Sequence, residues 1–197
     1  MKKVLVVGEK TSQVKKFATV LCGNFTSKEQ AKYVWTYTGT WSMTNTPIEF
    51  TFLPLAGHIT TLETPNGYKW GECPPIKLIT DEKAIVVKNQ RKYVTILRKQ
   101  IQQKDELWLA LDPDSEGDNI ALEVVNILSS NITKMKIPVK RIWNSSLTNN
   151  EIIRAFLQPK SWRNELALGV QGRRLIDAWL GFAGTVAQIV PVAREGL

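Results

Sequence analysis

LWLALDPDSEGDNIALE, Leu107 to Glu123, is the stretch that decides the fold. Leu107–Leu111 is an apolar run with the length and bulk of a buried parallel strand. Carboxylates follow at alternate positions, Asp112, Asp114 and Glu116, and Gly117 punctuates the turn. Asn119 to Leu128 then has helical apolar spacing. A strand delivers alternate side chains to one side, so Asp112 and Asp114 can point the same way at its carboxyl end. In open α/β sheets that end is where ligands bind. Crowded like charges call for a cation, and carboxylate oxygens with room for water and phosphate suit Mg2+ or Mn2+. The blander reading is an acidic loop capping a helix, with Asp114 and Glu116 held near its positive N-terminus.

Outward from this stretch, Val4–Val7 is a second apolar run, followed by Gly8-Glu9-Lys10-Thr11-Ser12. A helix pattern runs from about Gln13 to Leu21, with Thr11 or Ser12 as its cap. If the two strands are parallel neighbours, Glu9 stands beside Asp112 and Asp114 as a candidate general acid or base. Phe25 to Phe52 reads as extended segments, and Thr51–Leu55 as a strand leading to Gly57-His58-Ile59. His58 is the only histidine, which excludes a multi-histidine metal site. Thr64 to Pro75 reads as a loop in which Tyr68, Lys69 and Trp70 could stack on bases. Ile85–Val87 reads as a short strand and Asn89–Gln103 as a helix.

After the central stretch, Lys136 to Trp143 reads as a strand. Thr148 and Glu151 have the spacing of a capping box that starts a helix to about Leu157. A further helix is expected from Ser161 to about Phe182, with Arg173 and Asp177 on one face and Arg174 about 100° round. The tail from Gly184 has no clear period. The alternation predicts an α/β fold with a mainly parallel, Rossmann-like sheet over residues 1–145, then a partial α-helical domain over 146–197.

No apolar run approaches the roughly 18 residues of a membrane span. MKKVLVVGEK reads as a first strand rather than a signal peptide. Cys22 and Cys73 lack metal-ligand spacing, and free thiols in a cytoplasmic protein are expected. The net charge is +8, and residues 131–197 hold 10 of the 26 basic groups but only 4 of the 18 acidic ones. An acidic site followed by a basic segment suggests a polyanion handled at a metal.

Taken together, Val-Val-Gly-Glu9-Lys10, Gly57-His58-Ile59 and Asp112-Pro-Asp114-Ser-Glu116-Gly117 resemble the TOPRIM domain of type IA DNA topoisomerases. The likeness continues through Arg141-Ile-Trp-Asn-Ser-Ser-Leu-Thr148 and Gln171-Gly-Arg173-Arg174-Leu-Ile-Asp177, in the family's order. Glu9-Lys10 followed by a small polar pair looks most like the topoisomerase III branch. The resemblance implies that Asp112, Asp114, Glu116 and Glu9 form the Mg2+ and acid/base cluster, with Mn2+ a possible substitute. It implies that Lys10 contacts the scissile phosphate region. Arg141, Arg173 and Asp177 would line a single-strand groove, with Arg174, His58 and Gln171 as weaker carry-overs.

Such enzymes cleave one DNA strand through a tyrosine, keep a 5′-phosphotyrosine link, pass the other strand and reseal, with Mg2+ and without ATP. The expected partners are single-stranded or negatively supercoiled DNA, in the nucleoid or nucleus and with no membrane. The family's tyrosine lies on a later domain, and Tyr33, Tyr37, Tyr68 and Tyr93 are not in its setting. The chain alone is therefore expected to be inactive, needing tyrosine-bearing domains in cis or in trans. Two positions depart from the family, Ser115 where many members carry Arg and Asp118 where many carry Glu. The competing readings are a stand-alone metal-dependent nuclease or phosphotransferase, and a non-catalytic DNA-binding module.

Overall fold

A computed structural model of the chain describes residues 1–44, 46–68, 72–81, 83, 85–163 and 165–195. Lys69 and Trp70, candidates for base stacking, lie outside the described residues. The chain forms two compact units, residues 1–59 with 90–167, and residues 60–89 with 168–197.

The first unit begins with β1 (Lys2–Gly8), α1 (Thr11–Cys22), β2 (Thr26–Ala31), β3 (Val34–Trp41) and β4 (Ile48–Pro54). The second holds β5 (Thr60–Glu63), α2 (Pro75–Thr80) and β6 (Val86–Asn89). The first resumes with α3 (Arg91–Ile101), β7 (Glu106–Ala110), α4 (Ser115–Met135), β8 (Val139–Arg141), α5 (Asn149–Leu157) and β9 (Lys160–Ser161). The last element is α6 (Glu165–Glu195).

The seven-stranded sheet of the first unit has the order β2-β3-β4-β1-β7-β8-β9. Its centre, β4, β1, β7 and β8, is parallel, and its edges are antiparallel. Alternation along the strands explains the layering. Leu5, Val7, Leu107 and Leu109 pack on one face with Ile96 and Leu97 of α3 and Val124 and Leu128 of α4. Val4, Val6, Trp108 and Ala110 pack on the other with Phe17 of α1 and Phe156 of α5. Both faces are covered, so the central strands read as continuous apolar runs. This is the expected α/β, mainly parallel architecture. In the pairing of β1 with β7, Gly8 lies opposite Ala110, which sets the two strand ends side by side.

Several elements differ from their sequence pattern. The helix expected from Asn119 starts at Ser115 and runs to Met135. The strand expected over Lys136–Trp143 pairs only at Val139–Arg141. Neither Thr11 nor Ser12 caps α1; Lys10 occupies that position without a side-chain cap bond. The Thr148/Glu151 capping box does not close, because Ser145 Oγ donates to Glu151 and Thr148 Oγ1 bonds Ser146. The helix expected from Ser161 starts at Glu165, and Ser161 with Lys160 pairs antiparallel with Lys140–Arg141 instead.

In the second unit, β5 and β6 form an antiparallel pair, and α2 begins at Pro75, the last residue of the expected loop. The tail from Gly184 continues α6 to Glu195. Glycine costs a helix only about 1 kcal/mol, and Ala183 and Val186 bury against Leu78 of α2. Tertiary packing overrides the local breaker signal there. No described helix is long and apolar enough to cross a membrane.

Candidate metal and nucleic-acid site

The carboxyl ends of β1 and β7 present Glu9 and Asp112, and backbone contacts hold them there. Leu55 and Ala56 donate their N–H groups to the carbonyls of Gly8 and Glu9, at 2.9 and 2.8 Å, tying the exit of β4 to the exit of β1. Ala56 takes a φ of 59° and Gly57 one of 100°. A non-glycine residue in that region is strained, and here it turns the chain towards His58. Gly8 has a packing reason to be glycine, since a Cβ there would stand 2.4 Å from Val14 Cγ2.

Asp112 is engaged on both oxygens. Lys10 Nζ donates to Oδ2 at 3.0 Å and Gln13 Nε2 to Oδ1 at 2.8 Å. Burial alone would raise the Asp112 pKa, but the bonds from Lys10 and Gln13 outweigh it and hold the carboxyl below its usual range. The bond to Asp112 in turn raises the Lys10 pKa. The Glu9 pKa is raised, chiefly by burial and next by the charge of Asp112, with Asp114 adding to the effect. Glu9 therefore sits in the field of the aspartate pair, as its strand position predicts.

Asp114 is the N-cap of α4, with Oδ1 accepting from Gly117 N at 2.7 Å. The blander reading of the acidic loop is thus realised in this one residue. Glu116 turns to His58, whose Nε2 lies 3.0 Å from Oε2. His58 Nδ1 lies 2.9 Å from Glu123 Oε1, and the other oxygen of Glu123 accepts from Ile59 N at 2.9 Å. His58 thus bridges an exposed and a buried carboxylate.

Arg141, expected at the DNA groove, is 2% exposed. Its guanidinium donates to the carbonyls of Leu109, Leu111, Ile142 and Asp112 and to Asp118 Oδ1, at 2.6 to 3.1 Å. Every one of these acceptors belongs to β7, the acidic loop, α4 or the end of β8. The geometry makes Arg141 a clamp on the acidic loop, with almost all of its surface buried. Asp118, shorter than the family's usual Glu, is its buried counter-ion.

A cleft of about 530 Å3 lies at the β8–β9 edge, lined by Asp118, Arg141, Trp143, Lys160, Ser161, Trp162 and Arg163. Exposed indole and cationic groups together suit stacking and phosphate contact. The remaining groups expected to contact DNA lie on α6. Arg173 and Asp177 pair at 3.6 Å on an exposed face, Arg174 donates to Thr60 O at 3.1 Å, and Gln171 is half-buried.

Among the described residues, no three His, Cys, Asp or Glu side chains converge to ligate one ion. The four-carboxylate set is therefore not assembled as such, with Asp114 capping a helix and Glu116 on His58. Mg2+ needs only one or two carboxylates, its other positions going to water and phosphate. The hard-oxygen donors fit an ion held in that way, as does the negative charge of Asp112 and Asp114, which adds to burial in raising Glu9.

That charge makes a testable prediction. A carboxyl whose folded pKa lies above its unfolded value stabilises the fold below the unfolded pKa, and this is lost as pH rises through the folded pKa. Ionised Glu9 thus opposes folding at pH 7, and Glu9→Gln raises the metal-free melting temperature there. The gain vanishes as pH falls below about 4. A melting temperature unchanged or lowered at pH 7 contradicts the buried placing of Glu9 beside the aspartates.

Sequence reasoning missed Gln13, Glu123 and the true role of Asp118. Glu123 lies seven residues after Glu116 on one helix, a spacing that returns to the same face. Gln13 follows Lys10 by three in the opening turn, so its reach to the same carboxylate was foreseeable.

Residues 4–147 match the Toprim domain, and the chain belongs to that family. It is 29% identical over 189 residues to DNA topoisomerase 3 of Dictyostelium discoideum, covering 93% of this chain and 23% of that protein. It is 30% identical over 195 residues to DNA topoisomerase 3-beta-1 of Mus musculus, covering 94% of this chain and 22% of that one. The expected likeness to the topoisomerase III branch of the type IA enzymes is borne out. Full-length topoisomerase I from Thermotoga maritima shares the fold, with a TM-score of 0.53 at 19% identity over 88% of this chain and 24% of that one. The chain spans less than a quarter of the length of these relatives.

Proposed function

We propose that this chain is the metal- and DNA-holding part of a type IA topoisomerase. Strand cleavage, passage and rejoining through a 5′-phosphotyrosine would be completed by a tyrosine-bearing region in cis or in trans. The observation that carries the reading is the placing of Glu9, Lys10 and Asp112 at two adjacent parallel strand ends. Likeness to DNA topoisomerases 3 over nearly the whole chain supports it.

Asp112 and Glu9, with Asp114 if it releases its cap, would hold Mg2+ or Mn2+. The ion would neutralise phosphate charge and orient the scissile group. Glu9, whose raised pKa favours holding a proton, would give it to a leaving oxygen and take it back on resealing. Lys10, more than half exposed beside Asp112, would contact the phosphate. The Trp143–Trp162 cleft would hold the single strand, and the exposed Arg173 of α6 would contact phosphate. We further propose that residues 1–145 form the Toprim domain and residues 146–197 the start of a helical DNA-binding domain.

Oligonucleotide titration tests the reading. The chain alone is expected to bind single-stranded DNA with affinity falling steeply with salt, and to relax nothing. Adding the tyrosine-bearing region of a topoisomerase III is expected to restore Mg2+-dependent relaxation. Nicking by the chain alone, abolished by Asp112→Asn, would instead favour a free-standing nuclease.

A further inference from the structure

Gln13 has no part in the motifs that mark the site, yet its side chain touches the Asp112 carboxylate directly. The residue is 7% exposed. Its Nε2 is spent on Asp112 Oδ1 at 2.8 Å, while its Oε1 is buried with no hydrogen-bond partner. A buried acceptor left without a donor costs roughly 1–3 kcal/mol, and natural folds keep such a group only where something supplies the donor. Nitrogen and oxygen belong to one amide, so the vacant acceptor is carried beside Asp112. Lys10, the cationic neighbour at that carboxylate, already bonds its other oxygen.

We propose that Gln13 is an outer-sphere ligand of the divalent-ion site. Its Nε2 fixes the orientation of Asp112, and its Oε1 accepts a hydrogen bond from a water that the ion carries. The inference rests on the reading of Asp112 as an ion ligand and adds to it a positioning residue from a different element, α1. A water on a divalent ion is a stronger donor than bulk water, because the ion withdraws charge from it. An ion held by one or two carboxylates keeps several such waters. The orphaned acceptor and the small number of convergent carboxylates then have one common explanation.

Mn2+ titration followed by electron paramagnetic resonance reads free ion directly and needs no enzymatic activity. Gln13→Met keeps the side-chain length and removes both donor and acceptor. It is expected to weaken Mn2+ binding roughly ten- to a hundredfold, with the metal-free melting temperature unchanged or raised. Gln13→Glu keeps an acceptor at the same reach but loses the Nε2 donor to Asp112, and is expected to bind Mn2+ more tightly than Gln13→Met. Gln13→Met binding Mn2+ as tightly as the wild type would overturn the proposal, as would Gln13→Glu losing the ion as fully as Gln13→Met. A wild-type chain that binds no Mn2+ removes the ion site itself, which separates failure of the underlying reading from failure of this one.

Discussion

Arg141→Ala is expected to cost about 3–5 kcal/mol of folding stability, measured by urea denaturation of the chain without metal or DNA. The loss follows from what the guanidinium does. It is 2% exposed, bonds four backbone carbonyls and neutralises buried Asp118. Removing it leaves an uncompensated carboxylate and takes a donor from four carbonyls, of which Leu109's keeps its bond from Ile142 N. Arg141→Lys is also expected to fail, since one ammonium cannot reproduce a planar fork with five donors. An arginine that served DNA alone would give the opposite pattern. Its loss would spare stability and lower the salt dependence of DNA binding by about one phosphate contact.

Gly117→Ala is expected to be the second most damaging change, at about 1–3 kcal/mol or more. A Cβ at residue 117 would stand 2.0 Å from the carbonyl oxygen of Asp112 and 3.0 Å from its carbon, and backbone cannot swing aside. The same carbonyl accepts from Arg141 Nη2 at 2.6 Å. Methyl and guanidinium thus compete for one oxygen, and the acidic loop must shift. The variant is predicted to lose divalent-ion affinity along with stability. A variant of wild-type stability and affinity would mean that the loop is not clamped at Asp112.

The central sheet was legible in the sequence because its strands are buried on both faces. Val4–Val7 and Leu107–Leu111 read as unbroken apolar runs, and their parallel pairing put Glu9 beside Asp112. The acidic loop was legible for the same reason, as the polar end of such a run. What stayed hidden depends on three-dimensional proximity. Arg141 is one basic residue among many until β8 sets it under the loop. Asp114 gives no sign of whether it faces an ion or caps α4, because both roles want a carboxylate at that position. The continuation of α6 past Gly184 is decided by burial of Ala183 and Val186, to which local periodicity is blind. The family motifs supplied the likeness to topoisomerases; they did not reveal Gln13, whose signal is an unpaired atom.

The most direct test of the account is calorimetric titration of the metal-free chain with Mn2+, in parallel with Asp112→Asn. The account predicts saturable binding near one ion per chain, lost in Asp112→Asn although that variant stays folded. Binding that persists undiminished in Asp112→Asn, or no binding by the wild type, would contradict a divalent-ion site at the joined ends of β1 and β7.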